Sequence, residues 1–106
     1  MPYIVIFVKF PSHIANEVSK RFIESLQKFP DDDSLGETLI RSAVKSTQEG
    51  VNIFTVNRIN EGKLEEALNS ARTQIAFFLD IEGYEASVEV WATVQEGLAT
   101  LGMKMP

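Results

Sequence analysis

Cysteine is absent from the 106 residues, and histidine occurs once, at position 13. The first absence removes disulfides, thiolate nucleophiles and cysteine-based zinc sites. The second leaves no multi-histidine metal site within one chain. Positive charge is scarce, with 10 Lys and Arg against 15 Asp and Glu and a net charge of −5. A basic face is the electrostatic footprint of nucleic-acid binding, so this balance argues against nucleic acid and against an anionic membrane surface. Long apolar runs are missing too. The longest, Tyr3–Val8, falls far short of the roughly 20 residues of a bilayer span. No basic segment precedes it and no small-residue cleavage site follows it. The expectation is a cytoplasmic, soluble chain with no membrane partner, no metal and no cofactor. Its 44% apolar and 24% charged residues suit one domain, 1–106, that buries about two-thirds of its unfolded surface without staples.

The apolar pattern divides the chain into elements. Residues 3–10 (YIVIFVKF) are β-branched and aromatic on both faces, as in a central strand covered on two sides. Pro11 stops it, and Ser12 is available to cap a helix. Residues 13–29 carry a helical stripe of Ile14, Val18, Phe22, Leu26 and Phe29, with Glu17–Arg21 and Glu24–Lys28 as oriented pairs on the other side. Pro30 and Asp31-Asp32-Asp33-Ser34 then make a solvated loop. The aspartates lack the spacing and glycine of a calcium loop.

Residues 38–46 and 51–58 read as two strands of a hairpin, turning at Gln48-Glu49-Gly50. Asn60 is a candidate cap for a second helix striped by Leu64, Ala67, Leu68, Ala71, Ile75, Phe78 and Leu79, closed by Gly83. Residues 84–94 alternate, with Tyr84, Ala86, Val88, Val90 and Ala92 on one side and Glu85, Ser87, Glu89, Trp91 and Thr93 on the other. A C-terminal extension, 95–106, has Gly102 as a helix stop. Its Leu98, Leu101, Met103 and Met105 need cover from the second helix or from another copy.

The order is β-α-β-β-α-β. Two split β-α-β units of this kind make a ferredoxin-like α+β sandwich, with an antiparallel sheet in the order 4-1-3-2 and both helices on one face. Function is sought on the other, open face. Alternation assigns to it Tyr3, Val5, Phe7 and Lys9 from strand 1, and Glu85, Ser87, Glu89, Trp91 and Thr93 from strand 4. Leu39, Arg41, Ala43 and Lys45 come from strand 2, and by a weaker pattern Val51, Ile53 and Thr55 from strand 3. Such a face is more apolar than a monomer tolerates, so a homodimer interface is expected, with or without an enclosed ligand cavity. Arg41 and Lys45 on one edge and Glu85 and Glu89 on the other would meet across a two-fold axis.

The order, the near-hundred-residue length and the apolar open face resemble the dimeric α+β barrel superfamily across nearly the whole chain. The resemblance implies two sheets packed into a barrel, in a group that includes cofactor-free monooxygenases, lactone isomerases and stress-responsive proteins. Haem-degrading members use Asn, Trp and His in that chain order. Asn57, Trp91 and His13 stand in another order, so no role transfers to them. A glycine-rich acylphosphatase loop has no counterpart in Lys9-Phe10-Pro11-Ser12-His13. Amino-acid-binding ACT domains share the topology.

Individual residues carry weaker signals. His13 can act as a general acid or base near neutrality, though a lone loop histidine is ordinarily just exposed. Trp91 can stack on a planar ligand or anchor an interface. Lys9, read as lying beside Trp91, can bind a carboxylate or pair with Glu89. Asp80 and Glu82 sit at the C-terminal end of the second helix, against the dipole. Phe77-Phe78-Leu79 reads as a buried helix end. The leading expectation is a small-molecule-binding homodimer with Lys9, Arg41, Glu89 and Trp91 as ligand or interface residues. The alternatives are a cofactor-free monooxygenase or isomerase and a structural or regulatory ACT-like dimer.

Overall fold

The computed structural model describes residues 1–106. The elements run β1 (Tyr3–Phe10), a 3-10 turn (Ser12–Ile14), α1 (Ala15–Lys28), β2 (Gly36–Thr47), β3 (Gly50–Ile59), α2 (Leu64–Ala76), β4 (Glu85–Trp91) and α3 (Val94–Thr100). The four strands form one antiparallel sheet in the order β2-β3-β1-β4. Read from its other edge this is the expected order, and the α+β architecture is compatible with a ferredoxin-like fold. No helix is long and apolar enough to cross a membrane.

The apolar run of β1 holds the centre because both of its faces find cover or company. Ile4 and Phe10 are buried on the helix side, and Ile6 and Val8 face the same way. The core on that side comes in two pieces. One gathers Phe10, Val18, Val51, Phe78 and Ile81, and the other Ile4, Ile59 and Ala67. Members of both helices thus pack on the same face. At the first piece Tyr84 stacks on Phe78 at 5.0 Å between ring centroids, and burial pushes its phenol up to about 12.

Arg21 ties α1 to the end of α2. Its guanidinium donates to the Phe77 carbonyl at 2.6 Å and forks onto the Asp80 carboxylate at 2.6 and 3.1 Å. This replaces the expected Glu17–Arg21 pair and explains why an acid is tolerated at a helix C-terminus, since it has a cation of its own. The bond to Arg21 holds the Asp80 carboxyl below the ordinary carboxylate range. Phe78 is buried and Phe77 half-buried, whereas Leu79 is exposed, so that helix end is apolar on its inner side only.

Two expected caps are corrected. Ser12 lies inside the 3-10 turn, and neither α1 nor that turn has a side-chain cap. Asn60 does not cap α2, which begins at Leu64. Its amide donates instead to the Asp33 and Ser34 carbonyls at 3.0 and 3.1 Å, tying the acidic loop to the end of β3. The hairpin forms with Thr47 opposite Gly50. Gly50 has φ +132°, and a Cβ there would stand 2.6 Å from the Phe10 carbonyl oxygen, so only glycine fits. A capping box between Thr93 and Glu96 starts α3. The chain stops it at Gly102 (φ 74°), where the Met103 amide donates to the Leu98 carbonyl. Leu101, Met103 and Met105 are exposed, and α2 does not cover them.

The chain is spread out for its size. A compact monomer of 11.9 kDa would expose about 5,900 Å², and this one exposes 7327 Å². Its radius of gyration is 15.4 Å, against about 13 Å for a compact domain of this length.

Candidate functional site

Strand pairing fixes what stands side by side on the open face. At one end the row reads Lys45, Asn52, Lys9, Glu85, from β2 across to β4. The next is Ala43, Phe54, Phe7, Ser87, and then Ile40, Val56, Val5, Glu89. The last is Glu37, Arg58, Tyr3, Trp91. Two mainly apolar rows therefore lie between a polar row at the Lys9 end and a mixed row, Glu37 and Arg58 beside Tyr3 and Trp91, at the other. Phe7 and Phe54 are at the centre, ring centroids 6.5 Å apart, 38% and 37% exposed.

Two assignments are corrected by this register. On β3 the open residues are Asn52, Phe54, Val56 and Arg58. Val51, Ile53 and Thr55 face the helices, and Val51 is buried in the core there. On β2 the pairing shifts by one residue between Thr38 and Ile40 and again between Ile40 and Ala43. Each extra residue reverses the alternation. Ala43 and Lys45 keep their expected side, Ile40 takes the place given to Leu39, and Arg41 leaves the face. Its guanidinium pairs with Asp31, and it lines a hollow on the helix side of the sheet.

The remaining candidates are scattered. Lys9 stands opposite Glu85, not Glu89, with Asn52 on its other side. Trp91 lies six residues farther along β4, roughly 20 Å away, so Lys9 and Trp91 are not neighbours. The Trp91 indole, 51% exposed, donates to Glu89 at 3.1 Å. Glu37 and Arg58 pair at that same end. His13 is exposed on the 3-10 turn and has no hydrogen-bond or ion-pair partner. No single hollow brings Lys9, Trp91 and His13 together.

What the face does offer is a depression of about 550 Å³ at the Lys9 end, floored by Phe7 and Phe54 and edged by Lys9, Lys45, Asn52 and Glu85. It combines an apolar floor with a few convergent polar groups, the usual make-up of a small-molecule site. Asn52, Phe54 and Val56 did not stand out in the sequence. The two-residue turn at Gln48-Glu49, carried through the hairpin, is the signal that reaches them. Comparison with family models, curated proteins and solved structures finds no match to this chain.

Proposed function

We propose that the chain works as a homodimer, two sheets packed open face to open face in the manner of a dimeric α+β barrel, and that the dimer holds a small organic molecule. The observation that carries this reading is the banding of the open face, an apolar centre with Phe7, Phe54 and Ile40 exposed beside Val5 and Val56, flanked by the Lys45–Glu85 row at one end and by Glu37, Arg58, Tyr3 and Trp91 at the other. An apolar core inside a polar rim is how protein interfaces are built. The chain's surplus surface, about 1,400 Å² over a compact monomer, exceeds the roughly 800 Å² per partner of a stable interface. The exposed apolar residues of the C-terminal extension supply further surface for a second copy.

Charge supports one geometry. Lys45 and Glu85 stand at opposite edges of the same row, about 14 Å apart within one sheet. A two-fold axis along the strands brings Lys45 of one copy onto Glu85 of the other. The depression beside Lys9 would then be roofed by the second sheet, with Lys9 and Asn52 as its polar contacts and the phenylalanine pair as its floor. Native mass spectrometry of the purified protein tests both halves. A dimer carrying a small adduct is expected. A bare dimer refutes the ligand, and a monomer at every concentration refutes the dimer.

A further inference from the structure

The two ends of the open face differ in whether their donors are engaged. At the Trp91 end Arg58 pairs with Glu37, and the Trp91 indole donates to Glu89. At the Lys9 end the donors are free. The ion pairs of the chain use Met1, Arg21, Arg41, Arg58 and Lys63, but neither Lys9 nor Lys45. Asn52 stands between the two lysines in their row, and its side-chain amide bonds to no other residue. The lysine backbones are about 10 Å apart across β3, two strand spacings. A lysine stem is long and flexible enough to bring its ammonium over Asn52 from either side.

The charge there does not balance. Lys9, Lys45 and Glu85 are the charged residues that line the depression, two cations against one anion, on a chain whose net charge is −5. Glu85 stands beside Lys9 within one sheet and meets Lys45 of the other copy in the proposed dimer. It can satisfy only one of them. One ammonium per copy is left over, and beneath a second sheet a charge without a counter-ion is costly.

The apolar seat adjoins these donors. Phe7 lies two residues from Lys9, and Phe54 two from Asn52, on the same face, about 7 Å along the strands. Ala43 and Ser87 flank the phenylalanine pair, and their short side chains leave room beside the rings. The resulting 550 Å³ falls within the roughly 300–1,000 Å³ of small-molecule sites.

We propose that the depression takes an organic monocarboxylate with a flat apolar body, the body lying on Phe7 and Phe54 and the carboxylate accepting from Lys9 and the Asn52 amide. The proposal rests on the small-molecule reading of the dimer and names its ligand class. One surplus cation selects one negative charge. A cationic ligand would meet two ammoniums, and a neutral one would leave the Lys9 ammonium covered without a counter-ion.

2-Naphthoate, 2-naphthylmethylamine and 2-naphthylmethanol share a ring system and differ in charge. Amide NMR titration of the full chain follows each probe, and sedimentation velocity reports the assembly in the same samples. The carboxylate is expected to bind the dimer saturably, with shifts at Lys9, Asn52 and Phe54. It should bind at least about tenfold tighter than the amine or the alcohol, the size of a charge-assisted hydrogen bond. Lys9→Met should bring the carboxylate down to the alcohol and leave the alcohol unchanged, whereas Lys9→Arg keeps the preference. Glu85→Gln removes the competing acid and should tighten the carboxylate by about two- to fivefold. The comparison of probes on the unaltered chain stands even where a variant fails to fold. A dimer that binds the three probes equally, prefers the amine, binds none of them, or holds the carboxylate as tightly after Lys9→Met overturns the ligand class and leaves the dimer standing. A chain that sediments as a monomer with and without the carboxylate overturns the dimer, and the roofed site with it.

Discussion

Phe7→Asp is the sharpest test of the open face, because its effect on assembly is calculable. Phe7 is 38% exposed, which for a phenylalanine leaves about 80 Å² for a partner to cover. A two-fold interface contains the residue twice, so the variant withdraws about 160 Å² of apolar burial, worth about 4 kcal/mol at 25 cal/mol per Å². That is close to three decades in the dimer dissociation constant. The introduced carboxylates act in the same direction, since each would be desolvated without a cation beside it in the row Ala43, Phe54, Phe7, Ser87. The assay is sedimentation velocity over a concentration series, with far-UV circular dichroism and a thermal melt to verify the fold. Lys45→Ala, at the rim, is the control and should move the constant by less than about tenfold. If wild type and Phe7→Asp sediment as the same species throughout, the open face is not the interface.

Three further outcomes follow from particular contacts. Gly50→Ala places a Cβ against the Phe10 carbonyl at a positive φ and should cost at least about 1–3 kcal/mol in urea unfolding, so an unchanged midpoint refutes the close approach. Tyr84 deprotonates in the unfolded chain near 10 and in the folded protein only at about 12. Its burial therefore costs nothing below pH 10 and removes stability as the pH rises from there towards 12. Tyr84→Phe should flatten that alkaline decline. The Asp80 carboxyl is held low by Arg21, so this pair supports the fold above the ordinary carboxylate range and loses that support as pH falls through the depressed value. Arg21→Gln should return the Asp80 titration, followed by carboxyl NMR, to the ordinary range.

The parts of the fold that were legible were those with one unambiguous period. β1 and β4 declared both faces, because Lys9 and the Glu85–Glu89 alternation mark which side is wet. β3 did not. Val51, Ile53 and Val56 put apolar residues on both sides, and only its register against β1 decides which side Phe54 takes. On β2 no residue type announces the two extra residues near Leu39 and Arg41, since these bulges carry neither glycine nor proline. The misplacement of Arg41 follows from that alone. Asn60 and Ser12 have the chemistry of caps, but Asn60 bonds the Asp33 and Ser34 carbonyls instead, 27 and 26 residues away in sequence. The hollows between the sheet and the helices were invisible for another reason: Ser25, Ser70 and Gln74 lie off the apolar stripes of their helices, and only the packed layers show that they line the space there.

The central place of β1 also sets the order of events during synthesis. Tyr3–Val8, with no charge and no proline, is the kind of segment that pairs with other chains when left unsatisfied. Its two partners are made later, and β4 ends only at Trp91. At ordinary elongation rates of about 5–20 residues per second the strand waits roughly 4–16 s for its last neighbour. The hairpin of β2 and β3 can cover one edge in the interval, and the other stays open until β4 arrives. A nascent chain stalled before residue 85 thus displays an unpaired, apolar strand edge, and a chaperone that binds extended apolar segments would find its target there.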